Sequence, residues 1–381
     1  MSHQIYLDYC ATTPIHPNVR DAMMRVLDVN FGNPSSLHWA GKDARELVDQ
    51  ARADVASGIA CYPDEIIFTS GATEANNLAL FGSLRMFPLN EAHLITSATE
   101  HHAILHAAHR LEQSGYAVTY LPVDERGVVD PDDVRRAIRP QTRLISIMSV
   151  NNEVGSIQPV AEIGNIAREH GIRFHTDAVQ AIGLFDVDTN ELNADLLSLS
   201  GHKIYGPKGI GVLYVRAGIE LDPMLFGGSQ ERSVRAGTEN VPGIVGLGAA
   251  MNFVREHRAE EHARLSGLRK YLIDGLQVLG PEVIVNGTEE TTAPHIVSVS
   301  FTGADAEMLQ IRLNNEGVAV SLGSACNSKS IEPSHVLTAM RLPQEQIEST
   351  VRISLGMPAT HEEIDFLLDA ITRILPRVTV R

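Results

Sequence analysis

The sequence predicts an α/β fold, with a large domain built on a mostly parallel sheet and a smaller α+β domain beside it. Between about residues 60 and 215, short β-rich apolar runs alternate with longer amphipathic stretches, the rhythm of strands covered by helices. From Val241 to about Leu279 the rhythm gives way to one long helical stretch rich in Ala, Glu, Arg and Leu. Beyond it lies a second group: a strand at 296–301, a helix near 305–315, strands near 318–321 and 350–354, and a last helix from His361. The domain boundary is placed inside the long helix. Residues 16–258 form the large domain, and residues 1–15 with 259–381 form the small one.

In chain order, the predicted strands of the large domain are Glu65 to Thr69, His93 to Thr96, Ala117 to Leu121, Leu144 to Ser149, Ile172 to His175, Leu196 to Leu199 and Gly211 to Val215. Helices are expected at Ala72 to Phe81, Ala103 to Ser114 and Val160 to His170, the last closed by Gly171 as its cap. In such sheets ligands sit beyond the carboxyl ends of the strands. Chemistry is therefore sought there.

Composition narrows the function classes. A chain of 381 residues has room for two or three domains. With 31 Lys and Arg against 47 Asp and Glu, the net charge is −16, which argues against direct binding of nucleic acid. Three widely spaced cysteines, Cys10, Cys61 and Cys326, give no disulfide framework and fit a reducing setting. No leader pattern opens the sequence and no apolar run approaches a membrane span, so a soluble cytoplasmic protein is expected.

Three constellations carry chemistry. Phe68 to Asn77 is a strand running into a glycine turn and then a helix, whose free N–H groups and dipole favour an anion, with the Thr73 hydroxyl nearby. Alone, the same turn is equally an ordinary capped helix. His175-Thr-Asp-Ala-Val-Gln180 ends a strand, and Lys203 follows the next one, in Ser200-Gly-His-Lys203. An aspartate and a lysine facing each other across a crevice are what pyridoxal phosphate requires, one for the ring nitrogen and one for the Schiff base. Ser200 and His202 flank the lysine, within reach of a phosphate. Around Cys326 the run Gly323-Ser-Ala-Cys-Asn-Ser-Lys-Ser330 is small and polar, the setting of an exposed nucleophilic thiol, whereas Cys10 and Cys61 read as small core residues.

Two further groups were weighed. His102, His106 and His109 share one helical face, but without the Glu of a metalloprotease pair or a nearby cysteine no metal site is assigned. Arg352, inside an apolar strand, calls for an anion, met by a substrate carboxylate or by a structural ion pair.

Taken in order, the motifs resemble the cysteine desulfurases of the NifS and IscS type, within the pyridoxal-phosphate fold type I shared with class V aminotransferases. The resemblance is carried by Tyr6-Leu-Asp-Tyr-Cys-Ala-Thr-Thr-Pro14, Phe31-Gly-Asn-Pro-Ser-Ser36, Thr69-Ser-Gly-Ala-Thr-Glu74, Glu100-His101, Val150-Asn-Asn-Glu-Val-Gly155, His175 to Gln180, Ser200 to Gly209, Gly227-Gly-Ser-Gln-Glu-Arg232, Arg235-Ala-Gly-Thr238 and Gly323 to Cys326. It covers nearly the whole chain.

The resemblance implies that Lys203 holds pyridoxal 5′-phosphate, Asp177 pairs with its ring nitrogen and Gln180 meets its ring hydroxyl. Ala72, Thr73, Ser200 and His202 would hold the phosphate, and Thr238 would reach the cofactor of a neighbouring subunit in a homodimer. Asn152 and Asn33 would border the substrate, with Arg352 on its carboxylate and His101 stacked on the ring to exchange protons. The implied reaction converts L-cysteine to L-alanine and leaves a persulfide on Cys326 for an acceptor protein. That acceptor would be an iron–sulfur scaffold or a thio-modification enzyme. Gln230-Glu231, the run at 237–240 and an ending at Arg381 without an IscS-type tail place the chain nearer the NifS branch. A selenocysteine lyase, or another class V lyase or transaminase, is the alternative, and only the cysteine-bearing loop separates them.

Overall fold

The computed structural model describes residues 4–322 and 333–378. In chain order the strands are β1 (Ile5–Tyr6), β2 (Ile66–Thr69), β3 (His93–Ser97), β4 (Ala117–Leu121), β5 (Thr142–Ser146), β6 (Arg173–Asp177), β7 (Leu196–Ser200), β8 (Gly211–Val215), β9 (Val283–Asn286), β10 (Ile296–Phe301), β11 (Val318–Ala319), β12 (Ser321–Leu322) and β13 (Thr350–Ser354). The helices are α1 (Pro17–Val29), α2 (Trp39–Gly58), α3 (Ala72–Leu84), α4 (His102–Gln113), α5 (Pro131–Ala137), α6 (Val160–Glu169), α7 (Val241–Gln277), α8 (Ala306–Asn315), α9 (His335–Ala339), α10 (Gln344–Glu348) and α11 (His361–Ile374).

Strands β2 to β8 form one sheet in the order β2-β8-β7-β6-β5-β3-β4. Only β8 runs against the rest, pairing antiparallel with both β2 and β7. Side chains alternate between the two faces, as the pleat requires. Phe68, Leu197, Leu199 and Val212 pack on one face with Val48 of α2 and Leu247 and Met251 of α7, while Ile67, Leu196 and Leu213 face Leu78 of α3 and Leu111 of α4. A third apolar cluster, around Ile145, Ile163 and Phe174, extends the covering beneath α6.

The second group of elements builds a four-stranded antiparallel sheet, β12-β13-β10-β9. Its core joins the two ends of the chain: Ile5 and Leu7 pack with Leu265 and Leu272 of α7, Val299, Ile353 and Leu367. Arg264, on α7, ties that helix to the turn after β13 by donating to the carbonyls of Gly356, Met357 and Ala359.

The predicted elements occur, with instructive departures. Strand β9 is absent from the sequence reading: its apolar run, Val283-Ile284-Val285, is only three residues long and lies at a sheet edge. The stretch expected as one strand near 318–321 is two: β11 pairs with β1 and β12 with β13, and the Val320 carbonyl between them accepts from Gln310 instead. Strand β5 ends at Ser146, three residues early, although the amides of Ile147 and Ser149 still donate to the carbonyls of His175 and Asp177. Gly171 follows the last residue of α6 at φ +65°, as expected of a glycine cap.

Candidate active site

The carboxyl ends of β2, β6 and β7 open on one cavity of about 600 Å3. At the first, Thr69 hands over to Ser70 and Gly71, the latter at φ +154°, and α3 begins at Ala72 with its free amides toward the cavity. A methyl group on Gly71 would meet nothing within 4 Å, so it is the backbone conformation, and not space, that asks for glycine. Thr73 lines the same wall.

At the second strand end, Asp177 is 6% exposed. One carboxylate oxygen accepts from the Asn76 amide at 2.7 Å, the other from the backbone amide of Val179 at 3.0 Å. Two donors at those distances hold the carboxylate in place at the cavity wall. Behind it, His175 bridges Ser146 of β5 and Ser198 of β7 at 2.8 and 3.0 Å, tying β6 to both of its neighbours.

At the third, Ser200 is buried and a single 3-10 turn carries His202 and Lys203. The Lys203 ammonium donates to the carbonyls of Cys10 and, at 3.0 Å, Ala11. Gln180 donates to the Cys10 carbonyl at 3.2 Å and takes His295 at 3.2 Å on its other side. The segment Cys10 to Thr12 thus forms a wall of the cavity, stapled by the residues that ring it. Burial, with Lys203 and Lys208 adding, pushes the His202 imidazole down to about 4, so it is neutral at pH 7, and its Nδ1 lies 3.2 Å from the Thr12 hydroxyl.

His101 is the N-cap of α4: its Nδ1 accepts from the Ala103 amide at 3.1 Å, which leaves Nε2 to carry the hydrogen in the neutral ring. Burial pushes its pKa below the ordinary value. Arg352 is 2% exposed. It donates to Asp8 at 2.8 Å and to the Asn152 carbonyl at 2.8 Å, while its Nε is buried with no partner. A buried guanidinium that lines the cavity and has a donor unmet suits an anion. Arg352 is thus in a structural ion pair, one of the two partners expected from sequence.

Of the residues named from sequence, Ala72, Thr73, His101, Asn152, Asp177, Gln180, Ser200, His202, Lys203 and Arg352 all line this cavity. Asn33 and Thr238 do not; both are exposed, on segments joined by Arg45, which donates to the Pro34 carbonyl and to Glu239. Cys326 lies outside the described residues. Cys10 is buried, as expected, but it borders the cavity, and Cys61 is only partly buried against the core. His102 and His106 stack at 4.9 Å, whereas His109 turns to Tyr120. Among the described residues no cluster suits a metal ion, and no helix is long and apolar enough to cross a membrane.

Sequence reasoning missed Asn76, Asp8, Glu74 and Glu153. Glu153 lines the cavity and accepts from Ser334 at 2.6 Å. Asn76 sits one turn into the helix that follows the glycine turn, beside Thr73, Glu74 and Asn77, so nothing in the sequence set it apart from its polar neighbours.

Residues 5–367 match the family model of the class V aminotransferases. The chain is 46% identical to a cysteine desulfurase IscS of Dictyoglomus turgidum, over 99% of this chain and 96% of the relative. Among solved structures it is similar to a NifS-like protein, with a TM-score of 0.93 and 37% identity over 99% of this chain and all of that one. It is also similar to SspA solved in complex with cysteine, with a TM-score of 0.83 and 40% identity over 92% of this chain and 98% of that one. The chain belongs to the class V aminotransferase family, among its cysteine desulfurases.

Proposed function

We propose that this protein takes sulfur from L-cysteine, releasing L-alanine and leaving the sulfur on Cys326 as a persulfide for an acceptor. The observation that carries this reading is the convergence of Lys203, Asp177 and the start of α3 on one cavity with the unmet donor of Arg352.

The donor set fits pyridoxal 5′-phosphate. An amine, a buried carboxylate fixed by two donors, and a helix start with a threonine and a buried serine are what an aldehyde, a pyridine nitrogen and a phosphate need. Lys203 would hold the aldehyde carbon, Asp177 the ring nitrogen, Gln180 the ring hydroxyl, and Ala72, Thr73, Ser200 and His202 the phosphate. When bound, the cofactor supplies an electron sink for the bonds at the substrate's α-carbon.

The protein's own groups do the rest. Arg352, beside Asn152, binds the α-carboxylate and orients the amino acid. Lys203 takes and returns the proton at the α-carbon, its amine kept in place by two carbonyls when it is released. Asp177 keeps a proton on the ring nitrogen. His101, at the cavity wall, would exchange a proton with the substrate thiol through Nε2. The Cys326 thiolate attacks the substrate sulfur, so that the carbon–sulfur bond breaks as a sulfur–sulfur bond forms, and the carbon left behind takes a proton. L-Cysteine plus a thiol gives L-alanine plus a persulfide, and no outside oxidant is needed.

Exposed Phe31, Leu37, Trp39 and Phe226, at 68–91% exposure, support a homodimer. Asn33 and Thr238 belong to the same region of the chain, so their distance from this cavity fits a role at a neighbour's. Along α7 the packing passes from one core to the other between Val254 and Leu265, which supports a division near residue 259 with Ile5 and Leu7 joined to the C-terminal part, although Cys10 and Val336 to Met340 pack with the large domain. The acceptor would be an iron–sulfur scaffold or a thio-modification enzyme, in the cytoplasm.

The test is the intact mass and peptide map of purified protein exposed briefly to L-cysteine without reductant. One added sulfur on the peptide holding Cys326 is expected. Cysteine consumed with no sulfur on that peptide, once loss of a labile persulfide is excluded, would overturn the assignment.

A further inference from the structure

The wall proposed for the phosphate contains a carboxylate. Glu74, in the first turn of α3, lines the cavity, and its Oε2 accepts from the Ser70 amide at 2.9 Å. An acid there repels a phosphate dianion and consumes one of the donors such an anion would use. The structure answers it with Arg235, whose Nε donates to Glu74 Oε1 at 2.9 Å and whose Nη2 lies 3.4 Å from Oε2. Burial pushes the Glu74 carboxyl up, but the hydrogen bonds from Arg235 and Ser70 outweigh it and hold it below its ordinary value.

Arg235 reaches that position because its segment is clamped. Glu231, Arg232 and Ser233 are consecutive non-glycine residues at φ 43°, 57° and 61°, a left-handed run that persists only where its surroundings impose it. The imposing contact is a second, buried ion pair: Arg52 donates to both oxygens of Glu231 at 2.6 and 3.0 Å, and the Phe68 amide adds a third bond at 2.8 Å. The Arg52 guanidinium also lies 4.7 Å over the Phe68 ring. Since Phe68 belongs to β2, the strand that leads into Ser70, the clamp fixes Arg235 relative to the cradle itself.

We infer that Arg235 is a positioning residue of the cofactor-phosphate site, one that neutralises Glu74 so that the start of α3 accepts a phosphate without touching it. This rests on the reading that α3 takes the phosphate. The consequence is selective: loss of Arg235 weakens binding of a phosphorylated ligand and spares its unphosphorylated counterpart.

Equilibrium dialysis of the cofactor-free protein with pyridoxine 5′-phosphate and with pyridoxine, neither of which can bond covalently to Lys203, tests it. Arg235→Gln is expected to weaken pyridoxine 5′-phosphate about tenfold or more while pyridoxine changes less than about twofold. Adding Glu74→Gln should restore phosphate affinity to within roughly threefold of the parent. Equal weakening of both ligands, or no recovery in the double variant, would overturn the inference. If Arg235→Gln does not fold, Glu74→Gln alone decides: affinity kept or raised supports it, and a tenfold loss refutes it. Equal affinity of the parent protein for the two ligands would instead remove the phosphate reading beneath it.

Discussion

Asp8 and Arg352 form an ion pair at 2.8 Å across 344 residues of chain, with the arginine side chain 3% exposed and the aspartate 20%. Burial alone would lower the arginine's pKa, but the neighbouring Cys10 and Asp8 reverse that and hold the guanidinium charged. The pair balances the cation when no substrate carboxylate is present.

Asp8→Asn should therefore destabilise the ligand-free protein by roughly 3 kcal/mol, because it leaves a buried charge without its counterion. A carboxylate ligand should recover part of that loss. Thermal unfolding with and without L-alanine checks it: the rise in melting temperature on adding the ligand is expected to be larger for the variant than for the parent.

Lys203→Ala should cut turnover of L-cysteine by about 10²–10⁴-fold while the protein still folds, since the lysine stands at the cavity and not in an apolar core. Alanine production measured beside circular dichroism separates the two effects. Parent-level turnover would remove Lys203 from the chemistry.

Asn76→Leu should cost about 1.5–3 kcal/mol, the worth of a hydrogen bond to a charged group, because Asp177 loses its shorter donor. Denaturant unfolding gives the stability change. The proposed role of Asp177 further predicts a shifted absorbance of added pyridoxal 5′-phosphate, since the carboxylate keeps only its bond from Val179.

His175 and His295 are both pushed down to about 3 by burial. Their unfolded values near 6.5 lie higher, so the unfolded chain binds more protons below that pH. The stabilisation from keeping each ring neutral is complete above about pH 6.5 and is lost as pH falls toward 3. Each contributes a slope of about 1.4 kcal/mol per pH unit in that window. Urea unfolding at pH 7, 6 and 5 should show His175→Gln less steeply pH-dependent than the parent by about one such slope, whatever its overall stability.

What was readable in the sequence, and what was not, divides by distance along the chain. Asp177, Ser200 and Lys203 were legible because each stands at a strand end beside its own short motif, and the sheet brings strand ends together without further instruction. Asp8, Asn76, Glu74 and Glu153 were not, because each has meaning only through a partner 344, 101, 161 or 181 residues away. Strand β9 was lost for a different reason: Val283-Ile284-Val285 is an apolar run too short to stand out beside the long helix before it.

The wall made by Cys10 to Thr12 also has a bearing on synthesis. These residues are held from far along the chain as well as by Lys203 and Gln180: the Cys10 amide donates to the Ser354 hydroxyl at 2.9 Å, and the Leu7 carbonyl takes the Ser354 amide at 2.8 Å. Loops of that length close slowly, so these two contacts form only after β13 has been made and has folded back. A nascent chain halted before residue 352 would have Lys203, Asp177 and the start of α3 but no finished pocket.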